Sequence, residues 1–73
     1  MEDLPIKFGK ILFGLRTAKA LSQEALAAEC ELDRNYISLL ERGLRQPTLT
    51  TIFKIAKALN VSPSSIIKEV EKG

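Results

Sequence analysis

Apolar residues recur along this chain at spacings of three and four, which is the period of an amphipathic helix. The first such stretch carries Phe8, Ile11, Leu12 and Leu15 on one face. No segment alternates apolar and polar residues with the two-residue period of a half-buried strand. The pattern therefore predicts an all-α fold in which the helices turn their apolar faces toward a common core.

Capping and stop residues divide the chain into five predicted helices. Ser22, Asp33, Thr48 and Ser62 each stand before a helical stretch, where a side-chain oxygen can accept a hydrogen bond from a first-turn N–H. Gly43 follows the third stretch, and its missing Cβ permits the left-handed backbone found just past helix ends. The predicted helices run from about Pro5 to Ala18 or Lys19, from Gln23 to about Cys30, from Arg34 to about Arg42, from Leu49 to Leu59, and from Pro63 to about Val70.

Length and composition fit one globular domain over residues 1–73, with 45% hydrophobic and 27% charged residues. A core of this size stabilises a fold by no more than about 3–5 kcal/mol, so a partner subunit would help. No apolar run approaches the roughly 20 residues that span a bilayer. Glu2 and Asp3 stand where a signal peptide carries positive charge, so we expect a cytoplasmic protein with no membrane partner.

Several classes of function are excluded by the residue types present. The chain has no histidine and one cysteine, Cys30. These counts exclude intramolecular disulfides, Cys/His zinc sites and imidazole-based catalysis. We therefore expect no enzyme activity, metal or cofactor. Cys30 falls on an apolar helix face and is predicted to be a small buried hydrophobe.

Charge is unevenly placed, although the net charge is only +2. Between Ala20 and Asp33 there are four acidic residues and no basic ones, whereas Arg34 to Lys57 holds five basic residues against Glu41. On charge alone, the basic stretch fits a solvated face as well as a nucleic-acid contact.

The second and third predicted helices are joined by a very short connection, Glu31 and Leu32. Such a connection sets two helices at a steep angle and pushes the second one outward, which is the helix-turn-helix arrangement. Ile37 and Leu40 share the inward face of the third helix, so residues such as Arg34 fall on its other faces. A helix-turn-helix is therefore predicted over about residues 22–42.

Many residues in this order resemble a known family, over nearly the whole chain from about Phe8 to Ile67. They are Leu21-Ser22-Gln23-Glu24, Leu26-Ala27, Leu32-Asp33-Arg34-Asn35-Tyr36-Ile37-Ser38, Glu41-Arg42-Gly43 and Pro47-Thr48-Leu49. The chain resembles the Cro and phage-repressor (Xre-type) helix-turn-helix family, and its third helix looks like that of restriction-modification controller proteins. The resemblance implies a five-helix, lambda-repressor-like DNA-binding domain that regulates transcription of its own operon from a palindromic operator, both activating and repressing it.

One departure from the family pattern is Glu31, where the family usually has glycine in the turn. A left-handed backbone at that point costs a residue with a Cβ about 1 kcal/mol. We therefore expect a slightly reshaped turn, which leaves the exact tilt of the third helix open but not its identity as the reading helix.

The resemblance implies that the third helix lies in the major groove with its N-terminal residues at the base edges. Arg34 can donate two parallel hydrogen bonds to guanine, and Asn35 can pair with adenine. Ser38 suits either base, and Leu39 can meet a thymine methyl group. These four residues are the predicted base-reading set; for Arg34, a phosphate contact or a plain surface charge is the alternative.

Six residues are predicted to contact the DNA backbone. Gln23 begins the second helix, where free N–H groups and the positive end of the helix dipole suit a phosphate. By family position, the residues after the third helix clamp phosphates of the same half-site. The predicted set is Ser22, Gln23, Tyr36, Arg42, Arg45 and Gln46. Arg16 and Glu41 match a family pair that joins the first and third helices, and they are predicted to form a structural ion pair.

One such domain reads only about 4 to 6 base pairs, so a two-fold homodimer on double-stranded DNA is expected, with half-sites ~34 Å apart. Residues 59–71 hold more apolar surface than one small core needs and form the predicted dimerisation region. The residues concerned are Leu59, Val61, Ile66, Ile67 and Val70. Closing the monomer core is their other possible use, and we expect a mixture of both.

Phe13 lies off the apolar stripe of the first helix. It either makes a satellite contact inside the monomer, which we favour, or belongs to an exposed apolar patch. Three alternatives to a controller protein also stay open at this point. They are a phage Cro-like repressor, an antitoxin regulator and, in a different class, a protein-interaction module without DNA function. No small-molecule ligand is expected in any of them.

Overall fold

Five helices make up the computed structural model, which describes residues 3–73. They are α1 (Leu4–Ala18), α2 (Gln23–Cys30), α3 (Arg34–Glu41), α4 (Leu49–Leu59) and α5 (Pro63–Lys72). No strand occurs in this range, and the all-α prediction is confirmed. Glu2, one of the two acidic residues that argue against a signal peptide, lies outside the described residues. Over residues 3–73, no helix is both long and apolar enough to cross a membrane.

Each helix begins at a residue whose side chain caps its first turn. The predicted caps Ser22, Asp33, Thr48 and Ser62 all accept a hydrogen bond from a nearby backbone N–H. Asp3, which was not among the predicted caps, does the same for α1 at 3.3 Å. This extra cap explains why α1 begins one residue before the predicted start.

Four helices end in the same backbone motif. After α1, α2, α3 and α4 the chain turns left-handed, with φ of 57° at Ala20, 57° at Glu31, 73° at Gly43 and 58° at Asn60. In each case the next N–H bonds to the carbonyl five residues before it, at 2.9 to 3.2 Å. This is the Schellman motif, in which the last helical carbonyls find donors. Only Gly43 among these four residues adopts it without a Cβ.

The turn between α2 and α3 is not reshaped, which corrects the expectation drawn from Glu31. Glu31 itself takes the left-handed conformation, at φ 57° and ψ 42°. The Leu32 N–H donates to the Ala27 carbonyl at 2.9 Å, as the motif requires. The side chain thus carries a conformational cost, and the entry into α3 keeps its geometry.

The core lies where all five helices meet. α1 packs on α3 and α5, α2 packs on α3 and α4, and α4 packs on α5. Every helix contributes at least one fully buried side chain, from the set Leu12, Leu26, Ile37, Leu40, Ile55, Leu59 and Ile66. The inward positions predicted for Ile37 and Leu40 are confirmed, and so is the burial of Cys30, which is 3% exposed. Burial raises the pKa of the Cys30 thiol, which keeps it protonated and apolar.

α1 and α3 approach each other closely at Gly9. A Cβ at this position would lie 2.5 Å from the Leu40 carbonyl oxygen and 2.6 Å from that of Glu41. Only a residue without a side chain allows the two backbones to come so near. The contact sets the position of the C-terminal end of α3 relative to α1.

Candidate nucleic-acid interface

α3 presents one face to the core and another to solvent. Its first turn is held by Asp33, whose carboxylate accepts a hydrogen bond from the Asn35 N–H at 2.8 Å. Arg34 and Asn35 are exposed there, while Ser38 and Leu39 one turn later are half-buried. Because the opposite face of α3 is anchored in the core, these four side chains share a rigid, outward-facing platform.

The N-terminus of α2 lies open beside α3. The Ser22 hydroxyl accepts from the Ala25 N–H at 3.0 Å, so the first two N–H groups of α2 keep no intrahelical acceptor. The Gln23 amide Nε2 donates to Glu41 Oε1 at 3.0 Å, which uses one of its two hydrogens. This hydrogen bond, which the sequence did not predict, fixes the Gln23 side chain against α3. Open N–H groups and the helix dipole together suit an anion.

Arg16 joins α1 to both of these elements. Its Nε donates to Glu41 Oε2 at 2.5 Å and its Nη2 to Glu41 Oε1 at 3.1 Å, a two-point contact. Its Nη1 donates to the Leu21 carbonyl at 2.7 Å. The side chains of Arg16 and Glu41 are only 11% and 5% exposed. Hydrogen bonding to Glu41 raises the pKa of Arg16, against the lowering effect of burial. The two residues expected as a structural ion pair thus lie in direct contact.

The remaining candidates for backbone contact surround the C-terminal end of α3. Arg42, Arg45 and Gln46 are all exposed. Within residues 3–73, neither these two arginines nor Arg34 takes part in an ion pair, so their charges face solvent uncompensated. Tyr36 is half-buried, and its hydroxyl lies 3.5 Å from Thr51 Oγ1 on α4, a contact too long to hold it firmly.

Two of the predicted dimer residues are buried inside the monomer. Leu59 is 1% exposed and Ile66 is 2% exposed, so neither side chain is free to contact a second copy. Their inclusion in the dimer seam is corrected: both belong to the core formed by α4 and α5. Val61 and Val70 are partly buried against that core, and Ile67 is 46% exposed.

A continuous apolar surface instead runs across the outer sides of α4 and α5. Ile67 lines two adjoining grooves, one shared with Leu49 and Phe53 and the other with Leu4 and Val70. We call Leu4, Leu49, Phe53 and Ile67 the α4–α5 apolar face; they are 43%, 70%, 56% and 46% exposed. The sequence held a signal for part of it, since Leu49 and Phe53 lie four residues apart, beside the stripe of α4 that enters the core.

Phe13 does not reach the core. Its side chain is 52% exposed, and the ring centroid lies 5.4 Å from Cζ of Arg16. The ring thus makes a contact inside the monomer, as favoured above, but its neighbour is a guanidinium group and half of the side chain stays exposed.

Comparisons with known proteins agree with this geometry. A family model described as helix-turn-helix matches residues 14–66. Control protein C.MunI from a Mycoplasma species is 41% identical over 99% of this chain and 99% of its own length. The crystal structure of controller protein C.AhdI from Aeromonas hydrophila superposes with a TM-score of 0.83 at 48% identity, over 85% of this chain and 94% of that one. One chain from the crystal structure of the C.Esp1396I controller tetramer in complex with its natural 35 base-pair operator superposes with a TM-score of 0.86 at 33% identity, over 99% of this chain and 95% of that one.

Proposed function

This chain belongs to the Xre-type helix-turn-helix family (HTH_3), and from that premise we propose that it is a DNA-binding transcriptional regulator of the restriction-modification controller kind. Its partners are double-stranded operator DNA and a second copy of itself. Its role is regulatory rather than enzymatic, and it works in the cytoplasm, where its operator is. The observation that carries the proposal is the exposed first turn of α3, supported from behind by buried core residues and flanked by uncompensated arginines.

We assign base reading to the outward side chains of α3. Arg34 and Asn35 stand at the N-terminal end of the helix, where a helix seated in the major groove meets base edges. The fork of Arg34 matches the two acceptors of guanine, and the amide of Asn35 matches adenine. Ser38 and Leu39, one turn later, complete the base-reading set.

Backbone contacts on either side of α3 set its register on the duplex. One group of phosphate contacts comes from the N-terminus of α2, at Ser22 and Gln23. The other comes from the loop after α3, at Arg42, Arg45 and Gln46. Tyr36 completes this set through its hydroxyl. Such contacts supply affinity and orientation but carry no sequence information.

A second copy is needed because one α3 reads too few base pairs for selectivity. The domain measures 32 × 23 × 22 Å, so two copies side by side can place their α3 helices about 34 Å apart, one turn of DNA. The α4–α5 apolar face is the surface we assign to this contact. Scattered single apolar residues need no partner, but a joined set of four side chains, each more than two-fifths exposed, is typical of an interface.

Selection of bound sequences from a random duplex pool, at defined salt, tests the proposed function. We expect enrichment of a palindrome whose half-sites are one helical turn apart. Footprinting on an enriched sequence should then protect both half-sites equally. Affinity that is equal for enriched and random duplexes would contradict the proposal and favour a protein-interaction module built on the same fold.

A further inference from the structure

The exposed ring of Phe13 lies next to the guanidinium group of Arg16. Phe13 stands three residues before Arg16 on α1, so the two side chains lie on adjoining turns of one helix face. The ring centroid is 5.4 Å from Cζ of Arg16, within the range of a cation–π contact. Although the ring is 52% exposed, the Arg16 residue beneath it is only 9% exposed.

Three N–H groups of the Arg16 guanidinium donate hydrogen bonds, to both carboxylate oxygens of Glu41 and to the carbonyl of Leu21. The Phe13 ring lies over the same guanidinium, so it limits the access of water from that side. Removing water from a charged hydrogen bond strengthens it, because the effective dielectric constant around the pair falls.

Glu41 connects Arg16 to the first residue of α2. Its Oε1 accepts from Arg16 and also from Nε2 of Gln23, at 3.1 and 3.0 Å. Gln23 is the first residue of α2, beside the open N–H groups of that helix. A run of direct contacts therefore joins Phe13 through Arg16 and Glu41 to the amide that stands at the candidate phosphate site.

We propose that Phe13 is a positioning residue for DNA binding, which holds Arg16 and Glu41 so that Gln23 stays oriented toward a backbone phosphate. This inference rests on the proposed function, since it concerns the strength of a contact to operator DNA. Phe13 itself does not touch the bases. Its effect is on the firmness of one phosphate contact, and hence on the affinity for the duplex.

The test compares Phe13→Leu, which keeps an apolar side chain but removes the ring, with Phe13→Tyr, which keeps the ring. Binding is measured on a duplex selected by the native protein, over a series of salt concentrations and below the unfolding transition of each variant. We expect Phe13→Leu to weaken binding about two- to five-fold per protomer, the range of a partly exposed cation–π contact. Because the Gln23 amide is uncharged, the slope of log K against log salt should stay native. The second readout is therefore the loss of affinity when the phosphates of the duplex are replaced, one at a time, by neutral methylphosphonates: at the phosphate that Gln23 contacts, this loss should be smaller in Phe13→Leu than in the native protein. Phe13→Tyr should match the native protein in both.

The neighbouring substitution Gly14→Ala is the matched control, because nothing lies within 4 Å of a Cβ added there, and it should leave both readouts unchanged. Arg16→Lys should reproduce the smaller methylphosphonate effect, and combining it with Phe13→Leu should add little, since both changes act through one contact. A native methylphosphonate effect in Phe13→Leu, or an equal loss of affinity in Phe13→Tyr, would overturn the role of Phe13. If the native protein selects no sequence at all, the proposed function itself fails, which is a separate outcome.

Discussion

Glu31 shows how one residue can depart from a family pattern without altering the fold. It occupies the left-handed position of the turn at φ 57°, and the hydrogen bonds of the motif form around it as they do around Gly43. The geometry of the turn is imposed by helices packed on both sides, so the side chain adapts. The left-handed backbone at Glu31 therefore lowers the stability of the fold, and the orientation of α3 is unaffected.

Replacing Glu31 by glycine should therefore stabilise the protein. Glu31→Gly removes the steric cost of the left-handed backbone, and the greater freedom of glycine in the unfolded chain offsets part of the gain. We expect a net increase of about 0.5–1 kcal/mol in the free energy of unfolding, measured by urea denaturation. Glu31→Ala removes the same charge but keeps a Cβ, so it should give much less. Equal gains in the two variants would mean that charge, and not backbone strain, is responsible.

Two arginines near α3 are expected to act in different ways on DNA. Arg34 stands in the first turn of the helix, whereas Arg42 follows its last residue. In the proposed binding mode, Arg34 therefore meets a base edge and Arg42 a backbone phosphate. Arg34→Ala should cost about 1–3 kcal/mol of binding and relax the preference at one position of each half-site.

Arg42→Ala is the matched comparison, since it removes the same side chain from the other end of α3. It should weaken binding to all sequences alike and lower the salt slope by about one per protomer. Selection from a random duplex pool separates the two cases. An unchanged sequence preference in Arg34→Ala would assign Arg34 to the phosphates instead.

At the scale of the elements, the close contact of α1 with α3 determines where the candidate reading helix sits. Gly9 allows the backbones to touch near Leu40, and further along α1 the ion pair of Arg16 with Glu41 holds the same end of α3. A close backbone contact and an ion pair thus act on one short helix from one side. This leaves the first turn of α3 free for contact with DNA.

The same substitution at two glycines of α1 should have opposite effects on stability. Gly9→Ala places a methyl group within 2.6 Å of two carbonyl oxygens of α3, so the helices must separate. We expect a loss of about 1–3 kcal/mol or more, as for other overpacked sites. Gly14→Ala adds a methyl group in open space and should gain up to about 1 kcal/mol from helix propensity. Thermal unfolding of both variants measures the difference, and a gain at both sites would show that α1 and α3 can separate without cost.

At the scale of the whole molecule, α4 and α5 contribute residues to both the core and the α4–α5 apolar face. Leu59 and Ile66 point inward from α4 and α5, while Phe53 and Ile67 point outward from them. A small core is only marginally stable, so an interface built on the same helices would stabilise the fold and position two reading helices at once.

A charge placed within this face should separate the dimer. Phe53→Asp puts a carboxylate where an apolar contact is expected, and the dissociation constant should rise at least about tenfold, as for a hot-spot residue. Sedimentation velocity over a range of concentrations measures it. Leu44→Asp is the control, because Leu44 is equally exposed, at 56%, but lies outside the face. If the dissociation constant rises equally in both variants, or rises in neither, the dimer contact lies elsewhere.

Local chemistry accounts for most of what could be predicted about the fold. Helix caps and stops act on backbone groups only a few residues away, so the sequence alone predicts them. Those predicted in this way are Ser22, Asp33, Thr48, Ser62 and Gly43. Helix starts and ends followed to within about two residues, which is the usual spread of such boundaries. The chemistry available on the outer side of α3 also follows from the sequence, because the donors and acceptors of a side chain are fixed by its residue type.

Contacts between distant segments could not be inferred in that way. Both Leu59 and Ile67 are apolar residues of the predicted dimerisation region, and only the packing of the helices decides that one is buried and the other exposed. The hydrogen bond of Gln23 with Glu41 and the ring of Phe13 over Arg16 also depend on how helices come together. The position at which each helix begins is thus determined by neighbouring residues, because caps and turns are short-range interactions. Which faces remain free for DNA or for a second copy is settled by packing, because burial is a property of the assembled helices.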